Sequence, residues 1–312
     1  MTNRIQRFFA ALLFSALFAA GAAQAEELKP FVLAYTTGGE VDAAAEEAKE
    51  KLTGAGFEVV GQYKPYDDGS AVVIGVTNDA LRQAAAQTEF GGYAAAQRVS
   101  VTDVKGEVQV AYTNPTYMAH AYRLAGDLAG VTARMEQALG NQKAFGPEEG
   151  MSGEDLREYH YMFGMEYFDD PSELVEYESY EQGVKTVEAN LKKGVAGVTK
   201  VYRVDIPGKK QTLFGVAMDA PSDSEDDQYM DDEYMMEEID FKDLRSTAHL
   251  PYEILVSGDQ AYALYARFRI AINFPDLSMM GSNSFMNIMD SPPAIEKALI
   301  QAAGGELTAE HW

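Results

Sequence analysis

Tyr117, His120 and Arg123 recur at a spacing of three, which on a helix aligns a phenol, an imidazole and a guanidinium along one stripe. Arg269 and Asn273, followed by Pro275 and Asp276, hold the comparable place in the second half of the chain, as Tyr112, Asn114 and Pro115 do in the first. Both sets follow a long strand pattern and precede a helix, and loops at sheet ends are where polar groups converge on ligands. Tyr117, His120, Arg123, Arg269 and Asn273 are therefore the candidate ligand-binding residues. A solvated helix face is the plainer account of the same stripe.

A second chemistry is suggested by sulfur. His160, Met162 and Met165 lie among Tyr159, Tyr161, Phe163, Tyr167 and Phe168, and Met279, Met280, Met286 and Met289 cluster after Pro275. Thioether and imidazole ligands suit Cu(I), and a Met-x-x-Met pair on a helix puts both sulfurs on one side. This makes His160, Met162 and Met165 candidate metal ligands. Methionines filling irregular gaps between packed units, with aromatics covering the seam, would need no metal.

A third feature is the run from Asp223 to Asp240, with ten acidic residues in eighteen positions and no Lys or Arg between Lys210 and Lys242. Clustered carboxylates suit calcium, but an EF-hand frame starting at Asp223 puts Gln228 at the turn glycine and Tyr234 at the bidentate Glu. The expectation is a solvated, partly disordered insertion over 221–240 that adds little to the core. Weak cation binding and docking of a basic partner are the alternatives.

Other chemistries find little support. The absence of cysteine removes disulfides, thiol nucleophiles, iron–sulfur clusters and the C-x-x-C-H attachment of haem. Pro251 breaks any metalloprotease helix through His249-Leu250-Pro251-Tyr252-Glu253. There is no G-x-S-x-G elbow, Walker loop or G-x-G-x-x-G turn. Gly38-Gly39 before a helix could hold an anion, although helix entry alone explains it. A formal charge of −24 argues against nucleic acid and against anionic membrane surfaces.

The elements that would position these residues fall into two similar series. Val32-Leu33-Ala34-Tyr35-Thr36 resembles Leu174-Val175-Glu176-Tyr177-Glu178, Ile74-Gly75-Val76 matches Phe214-Gly215-Val216, Gly106 corresponds to Gly258, and Pro115 to Pro275. In the first series the patterns read as a strand at 31–35, a helix at 40–52 with Val41, Ala44, Ala45, Ala48 and Leu52 inward, and strands at 57–63 and 71–76. A helix behind Asn78, a hairpin at 98–112 and a last helix at 131–139 complete it. The second series repeats the order, with helices at 180–192 and 294–302, strands at 198–204 and 212–218, and a hairpin at 252–272. The prediction is α+β: two repeated two-layer domains, each a mainly antiparallel sheet with helices on one face. The domains span 27–142 and 172–305, joined by 143–171. Glu154-Asp155 ahead of Leu156, Tyr159 and Phe163 predict a short amphipathic helix in that segment, with Met162 and Phe163 buried.

Arg4 and Arg7, the apolar run from Phe8 to Ala20 and Ala23-Gln24-Ala25 form a secretory signal pattern over 1–25. Thirteen residues rise only about 20 Å as a helix, short of the roughly 30 Å bilayer core. Cleavage would leave 23 basic and 49 acidic residues, an acidic protein of the bacterial periplasm with no membrane anchor.

Lys51-Leu52-Thr53-Gly54-Ala55-Gly56-Phe57-Glu58-Val59-Val60, Ile74-Gly75-Val76-Thr77-Asn78 and Val110-Ala111-Tyr112-Thr113-Asn114-Pro115 resemble the domain of unknown function 302 family. The second series is similar through His249-Leu250-Pro251-Tyr252 and Asn273-Phe274-Pro275, whereas the first has Ala96-Gln97 in place of the Leu-Pro pair. The resemblance implies a compact α+β fold that tends to pair, so two fused copies could form an intramolecular pseudo-dimer. It implies no established reaction. The function expected is an exported periplasmic binding or accessory protein, with an unknown small ligand or a periplasmic protein as partner and no cofactor. A metal-handling protein using copper or calcium and an uncharacterised hydrolase are the alternatives.

Overall fold

The computed structural model describes residues 27–162, 164–222 and 224–307; the signal pattern, Phe163, Asp223 and His311 lie outside the described residues. The first repeat runs β1 (Phe31–Thr37), α1 (Val41–Gly54), β2 (Glu58–Tyr63), β3 (Ala71–Thr77), α2 (Asp79–Ala85), β4 (Gln97–Val104), β5 (Glu107–Thr113), α3 (Pro115–Ala121), α4 (Ala129–Leu139) and β6 (Lys143–Phe145). After the short α5 (Gly153–Arg157) come β7 (Ser172–Glu176), α6 (Tyr180–Lys193), β8 (Val198–Asp205) and β9 (Gln211–Met218). The chain continues through α7 (Glu225–Gln228), α8 (Asp232–Ile239), β10 (Tyr252–Ser257), β11 (Gln260–Ala263), α9 (Ala266–Asn273) and α10 (Ser291–Ala303).

The two sheets have one topology. The first is ordered β2-β3-β4-β5-β1-β6 and the second β8-β9-β10-β11-β7, so only β6 has no counterpart. All pairings are antiparallel. The protein is thus α+β, with two repeated two-layer domains. Sequence chemistry fixes the joints: the Asn78 side chain accepts from Leu81 N at 2.9 Å to start α2, and Lys105-Gly106, at φ 58° and 89°, turn the β4–β5 hairpin.

Alternation along the strands divides each sheet into two faces. Val72, Ile74 and Val76 of β3 point to the core under α1 and α4, whereas Val73 belongs to the core of the second repeat. Phe214, Val216 and Met218 of β9 pack under α6 and α10, while Leu213 joins the first core. The helix-free faces therefore meet, giving a helix–sheet–sheet–helix stack. β2 and β8 approach so closely that a Cβ on Gly61 would fall 2.0 Å from the Val201 carbonyl oxygen.

Two expectations are corrected. The second hairpin stops at Ala263, and residues 266–273 form α9, which occupies the place of α3. Pro115 begins α3 while Pro275 lies beyond α9, so they are not equivalent. Alternating Arg267-Phe268-Arg269-Ile270 reads as a strand, but α9 is buried on nearly every side and shows no amphipathic period. The acidic insertion is also not a solvated loop. Asp232, Met235, Met236 and Ile239 are buried at helical spacing along α8, and Met230 joins them in the second core. The acidic side chains mask an ordinary amphipathic helix.

Candidate functional site

The residues chosen from the sequence separate into two groups. Tyr117 is fully buried on α3 and donates its hydroxyl to the Ile272 carbonyl at 2.6 Å, one residue from Asn273. This bond joins α3 to the end of α9. His120 and Arg123 turn instead to the inter-repeat segment. His120 Nδ1 accepts from Arg157 Nε at 3.2 Å, and Arg123 donates to the Arg157 carbonyl and pairs with Asp169, both at 2.6 Å. Burial and then the Arg157 charge hold His120 below the usual histidine range. The predicted polar stripe serves the fold: Tyr117 ties α3 to α9, and His120 and Arg123 hold Arg157 and Asp169 of the inter-repeat segment.

The segment it holds buries Leu156 and Phe168 but leaves Met162 48% exposed, contrary to expectation. The His160 ring lies 4.5 Å from that of Tyr167, and Met162 and Met165 bracket a turn closed by their backbones. Tyr161 reaches across to donate to Met279 Sδ and stacks on Phe285. The two methionine-rich segments therefore meet at Tyr161. Among the described residues, no group of three His, Asp or Glu side chains is placed to hold a metal ion.

Arg269 and Asn273 sit four apart on α9, deep in the molecule, where Asn273 Nδ2 donates to the Arg269 carbonyl at 2.8 Å. Arg269 Nη2 donates to the carbonyls of His249 and Pro251, and the guanidinium lies 4.5 Å from the Tyr252 ring centroid. His249 Nε2 is 3.3 Å from Tyr252 Oη. Burial, aided by Arg269 and Arg98, pushes His249 well below the usual histidine range and keeps it neutral. Arg269 Nε and Nη1, His249 Nδ1 and Asn273 Oδ1 have no hydrogen-bond partner among the described residues. Orphaned buried groups cost roughly 1–3 kcal/mol each. Asn273 also forms part of the wall of a cleft of about 340 Å³, together with Lys29, Lys143, Asp240, Lys242 and Asp276.

Between the sheets lies a second polar centre that sequence reasoning missed. Arg98 Nη1 pairs with Glu253 Oε2 at 3.3 Å, with both side chains only 2% exposed. Arg98 Nε also donates to the Ala248 carbonyl at 2.9 Å, and Tyr202 Oη donates to Glu253 Oε1 at 2.7 Å. Arg98 stands opposite Gly75 in β3–β4, and Glu253 opposite Gly215 in β9–β10. The pair thus comes from equivalent positions of the two repeats. Tyr202 covers both glycines: a Cβ at Gly75 would meet its ring at 2.5 Å and one at Gly215 at 2.3 Å. The match between Gly75 and Gly215 in the sequence has this physical cause. A charged residue at the second position of an apolar strand, in β4 and again in β10, was the available signal for Arg98 and Glu253.

No family model matches the chain, and no curated protein matches it. Among solved structures it is similar to an uncharacterized conserved protein DUF302 from Bacillus stearothermophilus, at 20% identity over 34% of this chain and 94% of that chain, with a TM-score of 0.30.

Proposed function

We propose that the chain is an exported periplasmic binding or accessory protein without a catalytic centre, built from two tandem copies of a domain resembling the domain of unknown function 302. The observation that carries this reading is the set of polar atoms on Arg269, His249 and Asn273 without a partner among the described residues, of which Asn273 lines a cleft. Two Arg donors, an imidazole nitrogen and an amide oxygen favour a small polar ligand with both acceptors and donors. Native mass spectrometry of the protein purified from the exported fraction tests this. A small adduct should be present and should disappear in Asn273→Leu; a bare mass in the native protein would contradict the proposal.

A second reading, copper handling, is favoured by the meeting of the two methionine-rich segments at Tyr161 and Met279. Met280 is 76% exposed and available as a soft ligand. Stoichiometric Cu(I) uptake that fails in Met279→Leu with Met280→Leu would move this reading ahead. No uptake by the native chain would remove it.

A further inference from the structure

A second cleft, of about 580 Å³, opens where β2, the end of β9 and the start of α8 converge. Asp67, Asp219, Asp231, Asp232, Glu233 and Glu237 contribute to its lining. Its one lysine, Lys64, is paired with Asp42 of α1 at 2.9 Å. Asp67, Asp219 and Glu237 have no ion pair among the described residues. Some of these carboxylates serve the fold: Asp231 caps α8 and accepts from Ala220 N, and Glu233 accepts from Asp67 N. Asp232 differs from them. It is 2% exposed, its Oδ2 accepts from Tyr63 Oη and Met218 N, and its Oδ1 is buried without a partner among the described residues.

We propose that this cleft binds an aliphatic diamine or polyamine, with one ammonium group bonded to Asp232 Oδ1 and a second held by Asp67 and Glu237. This site is separate from the cleft beside Asn273. A single metal ion fits the arrangement poorly, because no three of the described carboxylates converge on one point. Separate charges joined by methylenes match carboxylates spread around one cleft. Tyr63, Pro65 and Met218 offer apolar surface for such methylenes, and tyrosine faces attract ammonium groups. Mutual repulsion among the carboxylates supports the same conclusion: Asp219 is raised above the usual carboxylate range by burial, Asp231 and Asp67. A bound cation would relieve that repulsion.

Isothermal titration of the full chain with spermidine at low salt provides the test. Saturable binding should weaken as salt rises, and should fall roughly tenfold or more in Asp67→Asn with Glu237→Gln, two exposed positions where folding is not at issue. Asp232→Asn, which keeps the shape of the carboxyl, should weaken binding too. Asn273→Leu should leave spermidine binding unchanged, so failure at either cleft is told apart from failure at the other. Absence of spermidine binding, equal binding by the Asp67/Glu237 variant, or calcium binding that spermidine does not displace would each overturn the proposal.

Discussion

At the residue scale, the decisive groups are buried charges. Glu253→Leu would leave Arg98 ionised and unpaired between the sheets, which costs about 3–5 kcal/mol when a buried pair loses one member. Urea unfolding should register that loss, and adding Arg98→Met should restore much of it, because two apolar groups remove both desolvation penalties. Asp232 and Asp240 are each raised to about 7, by burial first, with Tyr63 and Met218 opposing at Asp232 and Ser246 N and Arg245 opposing at Asp240. An unfolded Asp titrates near 3.9, so the native state holds these two protons more tightly. Their stabilising contribution is full below about pH 4 and is lost as pH rises to about 7. Each group changes stability by about 1.4 kcal/mol per pH unit within that window. The urea midpoint should therefore be higher at pH 5 than at pH 8, and Asp232→Asn with Asp240→Asn should shrink the difference.

At the element scale, α8 is the point where composition misleads. Ten acidic residues over 223–240 suggest a solvated loop, yet the apolar residues among them fall at 235, 236 and 239 and close over the second core. Met236→Ala should cost about 2–5 kcal/mol in urea unfolding, as for a buried methionine elsewhere. Deleting 224–239 should abolish cooperative unfolding of the second repeat; a deletion that leaves the midpoint unchanged would restore the loop reading. Most other elements were legible: β1, α1, β3, α2 and the β4–β5 hairpin all follow period and punctuation. The helix α9 was not, because burial on nearly every side erases the period by which a helix is recognised. The proposed ligand residues and the buried charges show the same split. Arg269 and Asn273 were found from their position at the end of the expected hairpin, while Asp232 was hidden among surface carboxylates and Arg98 and Glu253 among valines and isoleucines.

At the scale of the whole molecule, fusion lets equivalent positions carry different charges. A symmetric pair of identical repeats would place like residues at equivalent positions, whereas this chain sets Arg98 against Glu253. The sheet faces that would drive pairing are consumed internally, so analytical ultracentrifugation should find a monomer; a dimer stable at micromolar concentration would show that further surface is available for pairing. The same closure buries α9 against α3 and leaves polar atoms of Arg269, His249 and Asn273 without a partner among the described residues. The central claim is that a ligand satisfies these atoms. A high-resolution crystal structure of the protein purified from its native source tests it most directly. Density for a small organic molecule bonded to Arg269 Nη1 and Asn273 Oδ1 is the predicted result; ordered water alone, satisfying the same atoms, would contradict it.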